Sequence, residues 1–389
     1  MKFILDNSSF LWIKSNEALF YNSSSHHHVS MILDDEIKIA FCNYLSVPEH
    51  FGRITFDESS REALLCNVLT EKGIGTIEPD STQQYRLPNI PIINRDVERI
   101  PTEERCDYIL RNYDLSNYVT TITIYVGGHS KINSYYEQIP YPLNSNYVLS
   151  ADDIISFIRT VSDTLPSVSY KIVVSEPDEF DFENFGIALG KHPNTTLFLL
   201  HETFNQELCN WLQSTSLKMT VLIDSDCDKE QSDYIESKNV IYTMLIKSDK
   251  GIEHYKRLVK RIPDLNFEGI ADNNLDFFRK HVFESKDDIL KSKTISKRMI
   301  YIHQKLNLNY WGNLFVFPDK KIYSNPNRHG IDPLGTLNDN ILSLVAKELS
   351  YNYSWRKLRD SPKCSQCLCQ WLCPSPSCYE RTFNLESFC

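Results

Sequence analysis

Ile122-Thr123-Ile124-Tyr125-Val126-Gly127-Gly128 is the stretch on which the reading of this chain turns. A nearly unbroken apolar run of this length reads as a strand buried on both faces. The two glycines after it let the backbone approach a ligand closely. Similar runs recur downstream as Ile172-Val173-Val174 and Leu197-Phe198-Leu199-Leu200, and between them the apolar period lengthens to that of helices. Strands are expected at 118–126, 169–175, 195–200, 218–223, 239–246 and 264–270. Helices are expected at 151–165, 181–189, 204–212, 229–237 and 252–261. Ser150-Ala151-Asp152-Asp153 is a good helix start, an N-cap followed by two acids at the positive end of the dipole. Six strands with helical crossovers define an α/β fold, either an open partial (β/α)6 barrel or a doubly wound sheet. Pattern alone does not separate the two.

The 389 residues leave room for two or three domains. A hydrophobic fraction of 41% and a charged fraction of 24% are ordinary for a globular protein. The net charge of −10 argues against broad nucleic-acid binding. No apolar run approaches a membrane span, and Met1-Lys2-Phe3-Ile4-Leu5 is broken by Asp6-Asn7 too early for a signal peptide. A cytoplasmic protein with no membrane partner is the expectation.

Six of the eleven cysteines fall in the last 26 residues: Cys364, Cys367, Cys369, Cys373, Cys378 and Cys389. The first five are separated by two, one, three and four residues. Such spacing bends the backbone around a point, as a metal or an iron–sulfur cluster needs. Pro374 and Pro376 oppose a helix there, so a loop ordered by its ligand is expected. The alternatives are disulfides, which need an oxidising compartment, or free thiols that only pack.

At the amino end, 10–14 and 18–22 read as a hairpin turning at Ser15-Asn16-Glu17, and 29–33 as a third strand. A helix over 34–45 should bury Ile37, Ile39, Ala40, Phe41 and Tyr44. A second opens at Asp57-Glu58-Ser59-Ser60-Arg61-Glu62 with the apolar stripe Ala63, Leu64, Leu65, Val68 and Leu69, and Gly73-Ile74-Gly75-Thr76-Ile77 ends it in a turn and a short strand. This element order over about 80 residues resembles the small winged-helix domain by which peptide-modifying enzymes grip a precursor leader. An ordinary packing domain is the other reading. The resemblance implies a peptide floor at Met31, Leu33 and Leu65. His26-His27-His28 reads as a solvated loop, since adjacent residues of an extended chain point to alternate faces. Residues 81–105, rich in Pro, Asn and charge, read as a linker.

Ligands of parallel α/β sheets sit at the carboxyl ends of the strands. The first such loop, Gly127-Gly128-His129-Ser130 onward, runs to about Leu149, long for a strand-to-helix turn. The second is Ser175-Glu176-Pro177-Asp178. A strand, a long loop, Tyr147-Val148-Leu149-Ser150-Ala151-Asp152-Asp153, a second strand and then Glu176-Pro177 resembles the opening of a radical SAM enzyme. In that family three clustered cysteines in the first loop hold the cluster that cleaves S-adenosylmethionine. Here that loop contains no cysteine, and Val174-Ser175 stand where two glycines would be. Gly127, Gly128, His129 and Glu176 are therefore degenerate positions of that site, and the resemblance implies no radical chemistry.

The run from Gly312-Asn313-Leu314-Phe315-Val316-Phe317-Pro318-Asp319 through Leu334-Gly335-Thr336-Leu337 and Ser354-Trp355-Arg356 to Gln370-Trp371-Leu372-Cys373-Pro374-Ser375-Pro376-Ser377 is similar to the SPASM domain of radical SAM peptide maturases. It is most similar to the pseudo-radical-SAM proteins of Bacteroidales ribosomal-peptide modification systems. That resemblance implies Cys364, Cys367, Cys373 and Cys389 as ligands of one 4Fe-4S cluster, with Cys369 and Cys378 as alternates and zinc as the alternative metal. The expected boundaries are a winged-helix-like domain at 1–80, a linker at 81–105, a degenerate radical SAM-like partial barrel at 106–290 and a SPASM-like domain at 291–389.

Other chemistries find no support. There is no Gly-x-Ser-x-Gly elbow, no phosphate-binding glycine loop and no His-Glu-x-x-His helix. Asp224, Ser225, Asp226 and Asp228 hint at a cation site, but no downstream Glu completes a calcium loop. Two functions remain. One is a non-catalytic accessory protein that binds a precursor peptide or a partner maturase. The other is a redox enzyme or electron carrier that uses the carboxy-terminal cluster.

Overall fold

The computed structural model describes residues 1–80, 96–127, 147–174, 180–190, 192, 194–225, 237–262, 264–327, 332–385 and 387. At the amino end, β1 (Lys2–Leu5) is flanked on both sides by antiparallel partners, β5 (Arg53–Thr55) and β6 (Gly75–Glu78). Between them in sequence, β2 (Ser9–Lys14), β3 (Glu17–Asn22) and β4 (His28–Ile32) form an antiparallel meander. The hairpin turns at Ser15-Asn16, with Ser15 in the left-handed region at φ 50°. Gly73 takes φ 66° where the second helix ends, as a glycine at that turn should.

Two helices cover the meander. The first, Glu36–Ser46, is capped by Asp35, which accepts from the N–H groups of Ile37 and Lys38. The second, Arg61–Glu71, is capped by Ser60. Their buried faces differ from the expected ones. Phe41, Cys42 and Leu45 are buried in the first, while Ile39 and Tyr44 are 41% and 43% exposed. In the second, Ala63, Cys66 and Leu69 are buried and Leu64 and Val68 stand out at 66% and 45%. The reason is that Cys42 and Cys66 behave as small apolar residues and rotate each stripe by about a third of a turn.

The meander is buried on both sides, which its period-two alternation allows. Ala18 and Phe20 point into the helices with Leu33, Phe41 and Leu69. Phe10, Leu19 and Tyr21 point the other way, onto Ile289, Ile300, Cys369 and Leu372. The amino-terminal unit therefore rests on the cysteine-rich carboxy-terminal segment.

β7 (Thr121–Tyr125), β8 (Ser169–Val173), β9 (Thr195–Leu200), β10 (Lys218–Asp224), β11 (Val240–Ile246) and β12 (Asn266–Gly269) lie side by side in chain order, every pair parallel. A doubly wound sheet reverses its order at a switch point. This one does not, and right-handed crossovers then carry the connecting helices to one face. The order is that of a singly wound open sheet, and the doubly wound alternative falls. Ile122, Ile124, Ile172, Leu197 and Val221 pack with the helices, including Ile158 and Phe185. Tyr125, Val173, Phe198, Leu222 and Leu245 face the opposite side, where Phe315, Phe317 and Tyr323 join them. The helix expected over 229–237 falls mostly outside the described residues.

β13 (Asn313–Val316) adds to the same sheet parallel to β7, and β14 (Lys321–Tyr323) and β15 (Gly335–Thr336) extend it antiparallel. The end of the expected linker is instead helical: Thr102–Asn112 is a helix packed on helix Ile341–Tyr351. Only Ile109 of it is buried, so it carries almost no apolar stripe to read.

Candidate functional site

The free edge of β4 is the first feature of interest. Among the described residues β4 pairs with β3 alone, and its other side carries no strand. Helix Arg61–Glu71 runs alongside it, pinned at both ends. Arg61 reaches Asp35, just past the end of β4, at 3.0 Å, and the carbonyl of Lys72 meets Nδ1 of His27, just before its start, at 3.1 Å. Residues 61, 64, 65, 68 and 72 share one side of a helix. Leu64 and Val68 on that helix side are exposed. Ile32 on β4 is 59% exposed too, but it alternates with Met31 and so stands on the sheet face away from the helices. Of the sequence-derived floor, Met31 and Leu65 are half-buried beneath and Leu33 lies in the core at 8%. Leu64 and Val68 were missed as surface residues because helical periodicity counts apolar residues without saying which the core has room for.

The three histidines take turn and backbone roles. His26, at φ 59°, places Nδ1 3.1 Å from the Tyr21 hydroxyl, and His27 serves Lys72 as described. At the end of β10, Asp224 pairs with Lys247 at 3.7 Å; Asp226 and Asp228, the rest of the cation reading, lie outside the described residues.

At the carboxyl end of β7, Gly127 forms an isolated bridge with Val148, and the N–H of Leu149 donates to the carbonyl of Val126 at 2.8 Å. This seats the start of helix Ala151–Thr164 against the strand. Gly128, His129 and Glu176 lie outside the described residues.

The cysteine run is a series of tight turns. Backbone N–H groups of Cys367, Gln370, Leu372 and Cys373 return to carbonyls three or four residues back. Cys364 and Cys369 are buried, and Cys367, Cys373 and Cys378 half-buried. All cysteines among the described residues are free thiols. The Cys369 thiol hydrogen-bonds the Cys367 sulfur and, against burial and with help from the charges of Lys286 and Arg359, pulls Cys367 down to about 6. Cys369 itself is pushed up, first by that hydrogen bond and then by burial. The donor chemistry suits a thiolate-held metal or cluster: soft ligands, one already favouring the thiolate, under cationic charge. The described geometry brings Cys367 and Cys369 into contact, and among the described residues no three His, Cys, Asp or Glu stand as a metal-holding group. Cys389 lies outside them.

What holds this run in shape was not read from the sequence. Arg359 Nη1 meets Glu380 Oε1 at 2.6 Å, both side chains buried. The Arg359 Nε donates to the carbonyl of Pro374, and its own carbonyl accepts from Gln370 Nε2 at 2.6 Å. The only sequence signal is a pair of opposite charges bracketing the cysteines.

Fold and site together define an α/β protein with a singly wound, mostly parallel sheet, an amino-terminal meander with an open edge, and a cysteine-rich tail against that meander. Among the described residues no helix is long and apolar enough to cross a membrane. No protein-family model matches the chain, and no curated protein does. Among solved structures the chain is similar to SuiB of Streptococcus suis bound to precursor peptide SuiA, at 12% identity and a TM-score of 0.42, over 100% of this chain and 98% of that one. It is also similar to SuiB bound to S-adenosylmethionine, at 11% identity and a TM-score of 0.40, over 99% and 97% of the two chains.

Proposed function

We propose that this chain is an accessory protein of ribosomal-peptide modification, binding a precursor peptide or a segment of a partner maturase as an added strand on β4. The observation that carries this reading is the β4 edge, which no strand among the described residues pairs, with Leu64 and Val68 exposed on helix Arg61–Glu71. Main-chain pairing supplies affinity in that mode, and apolar pockets select alternate side chains. Affinity resting on burial depends weakly on salt. Cys364, Cys367, Cys373 and Cys389 hold one iron–sulfur cluster in this reading, in a structural or electron-transfer role. Four thiolates leave no iron open to a substrate. The cysteine-free loop after β7 supports an absence of S-adenosylmethionine cleavage.

The test is binding of a synthetic precursor-leader peptide, taken from any short reading frame encoded beside this protein's gene, by fluorescence anisotropy with the full chain at two ionic strengths. Saturable binding that Leu64→Asp weakens at least tenfold is the expected result. Binding that is unchanged in Leu64→Asp and Ile32→Asp would move recognition elsewhere. For the metal, anaerobically purified protein should carry about four irons and lose most of them in Cys367→Ala. Stoichiometric zinc in a colourless preparation would replace the cluster with a structural zinc site.

A further inference from the structure

Behind the cysteine run lies a cavity of about 190 Å³. Part of its floor is saturated, although the buried Ser377 Oγ has no hydrogen-bond partner among the described residues. Asn307 is fully buried and donates its amide to the carbonyls of Lys357 and Pro376, both at 3.0 Å. Glu380 is taken up by Arg359 and by the N–H of Ser377 at 2.8 Å. Two further cations line the same cavity, Lys357 and Arg381. Neither side chain has a hydrogen bond or an ion pair among the described residues, although the exposed Asp360 is within the lining. Among the described residues the lining therefore carries one cation more than its carboxylates neutralise.

Two like charges lining one small space repel each other, and flexible side chains in water turn apart unless a counter-ion holds them; Lys357 is exposed at its mouth and Arg381 half-buried. The repulsion is felt. Burial first, and then the charge of Arg381, depress Lys357 below the usual lysine range, against the opposing charges of Asp360 and Glu348. We propose that this cavity is a binding site for a small oxyanion, a carboxylate or a phosphate group, held between the Lys357 ammonium and the Arg381 guanidinium. The planar fork of Arg381 suits two oxygens at once, and Lys357 closes over a third contact as a point charge. The volume admits a small anion with some of its water; a nucleotide or a folded segment is too large. The site stands apart from the β4 groove and needs no metal in the cysteine run.

The experiment is calorimetric titration of the full chain with inorganic phosphate and, separately, with acetate, each against chloride at matched ionic strength. One saturable site for either anion is expected, the tighter of the two naming the group. Lys357→Gln and Arg381→Gln should each weaken it about tenfold or more, while Lys293→Gln, away from the cavity, changes nothing. Because a variant can fail to fold, the wild-type chain is also treated with phenylglyoxal, and modification of Arg381 is followed by peptide mass spectrometry. The better-binding anion should slow that modification severalfold. Responses equal to chloride, or Arg381 modified at the same rate with and without anion, overturn the proposal.

Discussion

Arg359 and Glu380 form an ion pair 2.6 Å long with side chains only 4% and 5% exposed, and they stand on either side of the cysteine run. The pair closes the segment that runs from Cys364 past Cys378 like a clasp, independently of anything the thiols bind. A buried pair contributes little net stability, but removing one partner strands a charge. Glu380→Leu should therefore lose about 3–5 kcal/mol in urea denaturation, and Arg359→Met combined with Glu380→Leu should recover most of it. A single substitution within about 0.5 kcal/mol of wild type would show that the clasp is not closed in solution.

Glu348 is a second buried carboxylate with a different role. It is fully buried in helix Ile341–Tyr351, accepting from Ser324 Oγ at 2.6 Å and from the N–H groups of Ser354 and Trp355 at 2.9 and 2.8 Å. It thereby ties β14 to the chain that follows its helix. Burial raises its pKa above the ordinary 4.5, outweighing those hydrogen bonds. A folded-state pKa above the unfolded one means that folding takes up a proton. Its contribution is complete below about 4.5 and is lost as pH rises through the raised value. Glu348→Gln should flatten that slope, so the difference in stability between wild type and variant changes with pH across the acid range. A difference constant from pH 4 to 8 would contradict this.

The strand–helix rhythm from residue 118 onward was legible because buried parallel strands are written in continuous apolar runs. Ile122 to Val126 names a strand in any context. Sequential order was not legible, since each run pairs with its neighbours through backbone groups that carry no sequence. The docking of the meander on the cysteine tail was half legible. The alternation of Leu19 and Tyr21 with Ala18 and Phe20 says that β3 has two apolar faces, but not that Cys369 and Leu372 cover one of them. Helix Thr102–Asn112 was illegible for the opposite reason: charged residues fill it and a partner helix decides its place.

Cys42 and Cys66 sit fully buried under the two amino-terminal helices, and burial pushes both thiols up to about 12. The thiolate is the nucleophile, so neither should react in the folded chain at neutral pH. Brief iodoacetamide treatment at pH 7.5 followed by peptide mass spectrometry should leave both unlabelled, and prior unfolding in guanidinium should label both fully. Rapid native labelling of either would mean that helices Glu36–Ser46 and Arg61–Glu71 open readily.

Leu64 and Leu69 lie five residues apart on one helix and separate binding from folding. Leu69 is fully buried against the meander, whereas Leu64 is 66% exposed. Leu69→Ala removes buried methyl groups and should lower stability by about 2–5 kcal/mol. Leu64→Asp touches no core contact, so its effect on stability should stay within about 0.5 kcal/mol. A peptide laid along β4 against this helix, however, must bury Leu64 with Val68, and an aspartate there places an unpaired charge in the contact. The expected pattern is opposite in the two assays: intact folding with peptide binding weakened at least tenfold for Leu64→Asp, and loss of stability for Leu69→Ala with peptide affinity preserved in the fraction that remains folded. Denaturation and anisotropy on the same preparations read both. Should Leu64→Asp instead destabilise the chain as much as Leu69→Ala, the exposed row belongs to the packing of the protein and the β4 groove is not free to receive a strand.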